Sequence, residues 1–255
     1  MNKNNRNKKT TKIALLVALV AIFASVVGFF IYTSIYYHAD QVAMEVYQEG
    51  LESGMIVSYD NMTIIEPEAG SGIGIIFYPG AKVEAIAYLP LLQQLADVGF
   101  TTVLLEMPFN MAIFDVDGAD DVFALLEENQ DDRAHEILQD VSQWYIMGHS
   151  MGGAMASSYA SDHQELVEGL ILIGAYVYGE YPTEKALTIY GTFNDNLEEN
   201  IDYTDNIVII QGGNHAQYGN YGEQSGDPQA TISDVEQQAI TVEAIVEFVA
   251  NGNEQ

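Results

Sequence analysis

The 255-residue sequence predicts an α/β fold, a mostly parallel sheet flanked by helices, behind one N-terminal transmembrane helix. Three observations carry this prediction. An uncharged run from Ile13 to Ile35 follows a basic tail, apolar runs of strand length alternate with helix-patterned stretches from Met55 onward, and one of those runs enters a helix through "GHSMGG".

The N-terminal run has 23 residues, about 34 Å as a helix at ~1.5 Å per residue, enough to cross a hydrocarbon core of about 30 Å. A cleaved signal peptide is the rival, but its apolar centre is usually only about 7–15 residues long and ends in a small-x-small exit site. Ala18, Ala21 and Ala24 are spaced by three. The run is therefore read as an uncleaved anchor. Lys3, Arg6, Lys8, Lys9 and Lys12 would hold its start in the cytoplasm and send the rest of the chain outside. This gives a basic cytoplasmic tail at 1–12, an anchor at 13–35, a stalk or leading helix with the first strand at 36–58, and the folded domain at 59–255.

Behind the anchor, "HADQVAMEVYQEGLES" has helical spacing and "MIVSYDNMTIIEP" reads as two short strands. "GIGIIFYPGAKV" is a buried strand running into a Pro-Gly turn. "AIAYLPLLQQLADVGF" is a helix stopped by Gly99, "TTVLLEMPFN" a strand and "GADDVFALLEENQ" an acidic-faced helix. Then follow strand "SQWYIMGHS", helix "MGGAMASSYASDH", strands "VEGLILIGAY", "KALTIYGTFND" and "NIVIIQGGNHA", and a closing helix "SDVEQQAITVEAIVEFVANG". Such alternation is that of βαβ units whose sheet is covered on both faces.

Three cations and all 37 acidic residues follow Ile35, a net charge of −34. Nucleic acid, which needs a basic footprint, is excluded as a partner. The absence of cysteine removes disulfides, thiolate metal sites and cysteine nucleophiles. The runs "DVDGADD" and "QDDRAHE" do not follow the calcium-loop spacing and are read as solvated carboxylates at helix starts. No metal and no cofactor is expected.

Gly148, Ser150 and Gly152 satisfy G-x-S-x-G, with an apolar strand before and a small-residue helix after. This is what a nucleophile elbow needs: a tight strand-to-helix turn that tolerates no bulky neighbour and lifts the serine above the sheet edge. A serine hydroxyl needs a base. Of five histidines, His38 is beside the anchor, His135 and His163 lie in polar helical surroundings, and His149 is the elbow's variable residue. His215 follows the last apolar strand after two glycines and is the candidate base. A carboxylate should orient it, in the order serine, acid, histidine. Asp195, just after "ALTIYG", fits best, with Asp202, Asp205 and Glu180 as alternatives. The oxyanion donors are expected at Met151 and, in "FYPGAKV", at Ala81.

These residues carry a resemblance. From about Tyr59 to Phe248 the chain resembles the α/β-hydrolases, more narrowly the small bacterial alpha/beta hydrolase fold-5 group, which is related to dienelactone-hydrolase-like enzymes. "FYPGAKV", "MPFNMAIF", "GHSMGGAMA", "YGTFNDN" and "GGNHAQYGNYGEQSGDPQATIS" occur in that order. The resemblance implies a catalytic triad of Ser150, Asp195 and His215, oxyanion donors Met151 and Ala81, acyl-enzyme chemistry and no cofactor. Dienelactone hydrolases proper use cysteine where this chain has Ser150, so their substrate does not carry over.

Only about ten residues separate the strands ending near Tyr176 and starting near Ala186, so the cap is minimal and the pocket open. Phe109, Tyr176, Tyr178 and the Tyr218–Tyr221 loop are candidate borders, and Lys82 beside the oxyanion loop is a candidate contact for anionic acyl groups. The expected substrate is a small or acylated molecule, cleaved at an ester-type bond by a membrane-anchored, extracytoplasmic serine hydrolase. The same residues also suit an acyltransferase or a non-catalytic binding module on this fold.

Overall fold

The computed structural model describes residues 3–127, 132–194 and 197–252. The chain divides into two compact units, Met1–Tyr36 and Tyr37–Gln255.

The first unit is one helix, α1 (Lys3–Thr33), within which Thr11–Thr33 is long and apolar enough to cross a membrane. Its most apolar 18 residues are not buried against protein.

The second unit opens with α2 (Gln41–Ser53). Asp40 caps it by accepting from Ala43 N–H at 3.0 Å, and Gly54, at φ 78°, ends it in the left-handed conformation. β1 (Ile56–Tyr59) and β2 (Met62–Ile65), the two expected short strands, pair antiparallel. β3 (Ile73–Tyr78), α3 (Leu89–Asp97), β4 (Thr101–Leu105), α4 (Asp120–Glu127), α5 (Arg133–Gln139), β5 (Gln143–His149), α6 (Met151–Asp162), β6 (Gly169–Ile173), β7 (Ala186–Gly191), β8 (Ile207–Ile210) and α7 (Asp234–Gly252) follow. The eight strands lie in the order β1-β2-β4-β3-β5-β6-β7-β8, antiparallel among β1, β2 and β4 and parallel from β4 to β8.

Two apolar layers clamp the sheet. One joins Ile75, Phe77, Met147 and Ile171 to Leu91, Leu95 and Ile245 of α3 and α7; the other joins Ile76, Ile146 and Leu172 to Leu125, Leu138 and Tyr159 of α4, α5 and α6. Strands buried on both faces read as unbroken apolar runs, which is why these segments were legible as strands.

α5 differs from the sequence expectation. "QDDRAHE" reads as carboxylates at a helix start, and Asp132 indeed caps α5 by accepting from His135 N–H at 2.9 Å. His135 itself is buried, which its sequence neighbours do not signal, with Nδ1–H donating to Leu125 O at 2.8 Å and Nε2 against the Gln139 side-chain amide. Asp120, in the other acidic run, accepts from Tyr159 Oη at 2.7 Å.

Because β3 continues to β4 on one side while β5 lies on its other side, the chain reverses direction across the sheet between β3 and β5. A crevice forms at the carboxyl ends of strands where the order reverses. Ala81 follows β3 and Ser150 follows β5, on the two sides of that reversal.

Candidate active site

Ser150 sits between β5 and α6 at φ 55°, ψ −122°, a conformation L-residues rarely hold. The flanking glycines explain how it is held. A Cβ on Gly148 would stand 2.5 Å from Gly152 O, and one on Gly153 would stand 2.5 Å from the Ala175 Cβ. A Cβ on Gly152 would collide with the carbonyl oxygens of Tyr78 and Pro79. Backbone therefore packs on backbone at this turn, and the loop after β3 lies directly on the elbow. Ser150 N–H donates to Ile173 O at 3.1 Å, fixing the turn to β6. Ser150 Oγ makes no hydrogen bond among the described residues, so its proton is not engaged by His215 in this resting geometry. Such contacts often tighten only around substrate.

The two expected oxyanion donors have the required freedom. Gly80 N–H donates to Tyr88 Oη at 3.2 Å and Lys82 N–H to Asn110 O at 2.7 Å. Between them, Ala81 N–H donates to nothing among the described residues. Met151 N–H, at the first position of α6, is likewise unengaged, where the helix dipole adds positive potential.

His215 follows β8 and packs against the end of β6: a Cβ on Gly174, next to the Ile173 whose carbonyl accepts from Ser150 N–H, would lie 2.9 Å from His215 Nδ1. The histidine loop is held from behind by Gln237 of α7, fully buried, which accepts from Asn214 N–H at 3.0 Å and donates to Asn214 O at 2.9 Å. Asp227 receives the backbone N–H groups of His215 (3.2 Å) and Ala216 (2.8 Å). Burial pushes the imidazole below its ordinary range, while the Asp227 charge opposes that shift.

Asp195, the acid expected from sequence, lies outside the described residues. Its neighbour Asn194 is described, and its Oδ1 accepts from His215 Nδ1–H at 2.9 Å. That bond leaves Nε2 as the basic nitrogen, the one a serine proton would need. Neither Asn194 nor Asp227 is singled out by the sequence: the first stands beside the carboxylate expected there, and the second lies 12 residues after His215 with no motif of its own.

His149 is buried against this site. Its Nδ1 accepts from Tyr88 Oη at 2.7 Å and its Nε2–H donates to His215 O at 3.0 Å, with the two imidazole centroids 4.6 Å apart. Burial, first, and then the nearby His215 hold it well below the ordinary histidine range, so it stays neutral.

An open cavity of about 430 Å³ is lined by Tyr176, Asn194, Leu197, His215, Ser225 and Asp227, among others. Tyr176 is among its walls, whereas Ser150, Met151 and Ala81 are not. Tyr218 and Tyr221 are buried in the core and do not border it, whereas Tyr178 is exposed. Phe109 is 43% exposed on the loop after β4 and is not among the cavity's walls. Lys82 stands beside the oxyanion loop at φ 59°. Among the described residues no group of three or more His, Asp or Glu side chains is arranged to hold a metal ion.

The sequence pattern of the Alpha/beta hydrolase family matches residues 74–239, most of the second unit. The chain belongs to that family. Solved structures agree on the fold: dienelactone hydrolase from Anabaena variabilis (16% identity, 75% of this chain and 96% of that one, TM-score 0.50) and an alpha-beta hydrolase from Vibrio vulnificus (14%, 85% and 89%, TM-score 0.52). The Est1E protein of Butyrivibrio proteoclasticus, solved with ferulic acid bound, matches at 13% identity over 77% of this chain and 99% of its own, with TM-score 0.50. A comparison with curated proteins finds no match. The Ser150 turn lies at the carboxyl end of β5, and only residues 174–185 stand between β6 and β7.

Proposed function

We propose that this protein is a single-pass, membrane-anchored serine hydrolase that cleaves an ester-type acyl bond, with its N-terminus cytoplasmic and its catalytic domain outside the cell. The observation that carries the reading is the strained Ser150 turn at φ 55°, ψ −122°, beside which the N–H groups of Ala81 and Met151 have no acceptor among the described residues. Backbone strain of this kind costs about 1–3 kcal/mol and persists where the surroundings over-determine it.

Ser150 Oγ attacks the substrate carbonyl carbon and passes its proton to His215 Nε2. The resulting oxyanion is held by Ala81 and Met151 N–H groups. His215 returns the proton to the departing alcohol, leaving an acyl-enzyme. Water then attacks that ester, its proton again taken by His215 and given back to Ser150 Oγ. The Asn194–Asp195 stretch supplies the acceptor for His215 Nδ1–H: Asn194 through the observed bond, Asp195 as the charged member of the triad. Tyr176 borders the acyl or alcohol portion. Basic residues 3–12 and the apolar helix set the membrane topology.

Full-length protein in detergent provides the test. Fluorophosphonate labelling and turnover of p-nitrophenyl acetate should vanish in Ser150→Ala and His215→Ala, and Asp195→Asn should cut turnover by at least about a hundredfold. Folded wild type that neither labels nor turns over would overturn the hydrolase reading.

A further inference from the structure

The segment Tyr37–Asp40 lies outside the family match and only a few residues past the end of α1, yet it touches both loops of the candidate site. Towards the oxyanion loop, Tyr37 forms an isolated parallel bridge with Val83: Tyr37 N–H donates to Lys82 O at 2.7 Å, and Glu84 N–H donates to Tyr37 O at 2.9 Å. Glu84 answers with its carboxylate, which accepts from Ala39 N–H at 2.9 Å and lies 3.4 Å from His38 Nδ1.

Towards the histidine loop, Tyr37 Oη accepts from Ser225 N–H at 2.9 Å, its ring stands 5.6 Å from that of Tyr221, and Asp40 N–H donates to Asn220 O at 2.8 Å. Ser225 is two residues before Asp227, the carboxylate that holds the backbone of His215.

Lys82 adopts left-handed φ although it is not glycine, and its peptide neighbours decide where Ala81 N–H points. Three main-chain hydrogen bonds hold that turn: Lys82 N–H to Asn110 O, and the two to Tyr37. Two of the three therefore come from a segment that the family core does not contain.

We infer that Tyr37–Asp40 is a strap that positions the site, with Tyr37 and Glu84 as positioning residues that keep the oxyanion loop and the histidine loop in register. This rests on the proposed hydrolase reading. The strap's hydrogen bonds run to the loops and not to substrate, so its loss should lower kcat and leave KM nearly unchanged. Because Tyr37 also steadies the turn leading to Asp227, its loss should move the acid limb of the rate profile.

Full-length Tyr37→Phe, which keeps the ring, and Glu84→Ala, which removes the acceptor for Ala39 N–H, are compared with wild type in detergent. Two readouts are used: kcat, KM and pH profile on p-nitrophenyl acetate, and amide hydrogen exchange. Each variant should lose about fivefold in kcat, the weight of one neutral hydrogen bond. Exchange should accelerate in both residues 81–84 and 215–225. Unchanged kcat and pH profile, with exchange altered only next to the substituted residue, would overturn the strap. If wild type has no esterase activity, that failure belongs to the hydrolase reading, and the exchange data alone decide: acceleration confined to one loop, or absent, overturns the inference.

Discussion

His215 lies under two opposing influences: burial, which disfavours its cation, and the Asp227 carboxylate, which favours it. Burial is the larger, so the folded imidazole titrates below the ordinary value of about 6.5. A base works in its deprotonated form, so activity should stay level through neutral pH and fall only below pH 6.5 as His215 takes up a proton. Replacing Asp227 by Asn keeps an oxygen for a backbone N–H but removes the charge. The acid limb of kcat/KM for Asp227→Asn should then move to still lower pH, whereas an upward movement would mean that Asp227 acts mainly by excluding water. Ser150 and His215 were legible as candidates because their chemistry restricts the choice: one serine in an elbow, one histidine after the last strand. Asn194 was not, since its part depends on which of two adjacent side chains turns toward the ring. The bridging part of His149 was not either, because its partner Tyr88 is 61 residues away in the chain.

At the scale of elements, the elbow shows why β5 and α6 could be read so closely. The glycines are required by backbone contacts, and the pattern that satisfies those contacts is short and contiguous. Gly152→Ala places a methyl against the carbonyl oxygens of Tyr78 and Pro79, which cannot swing away as a side chain end would. It should cost about 3 kcal/mol or more in a urea denaturation, at the upper end of overpacking effects. Gly70→Ala meets only Pro67 Cγ at 3.8 Å, so it should change stability by no more than about 1 kcal/mol. Equal losses in the two variants would refute the backbone-contact account of the motif. The helix at Gln41–Ser53 was equally legible, from its apolar spacing. Its preceding residues were not legible as an active-site strap, since a two-residue parallel bridge leaves no periodic signal.

At the scale of the whole molecule, two pH effects of opposite sign compete. The domain carries 37 carboxylates against few cations, and neutralising them relieves self-repulsion, but chiefly near their ordinary range of about 4. His149 acts earlier. Burial first, and the nearby His215 second, keep it neutral in the fold, where its Nδ1 accepts from Tyr88 Oη at 2.7 Å; unfolded, it takes a proton near pH 6.5. Below that value the unfolded chain binds more protons than the native one, so stability falls with falling pH, by up to about 1.4 kcal/mol per pH unit for one histidine. Above pH 6.5 both states hold it neutral and the dependence disappears. Urea unfolding between pH 7.5 and 5.5, in about 0.5 M salt to screen surface repulsion, should therefore show a declining midpoint. His149→Gln, whose amide can still accept from Tyr88 and donate to His215 O, should flatten that decline even if it starts from lower stability. An unaltered slope would assign the decline to other groups, His215 first among them, since burial lowers its titration in the same direction.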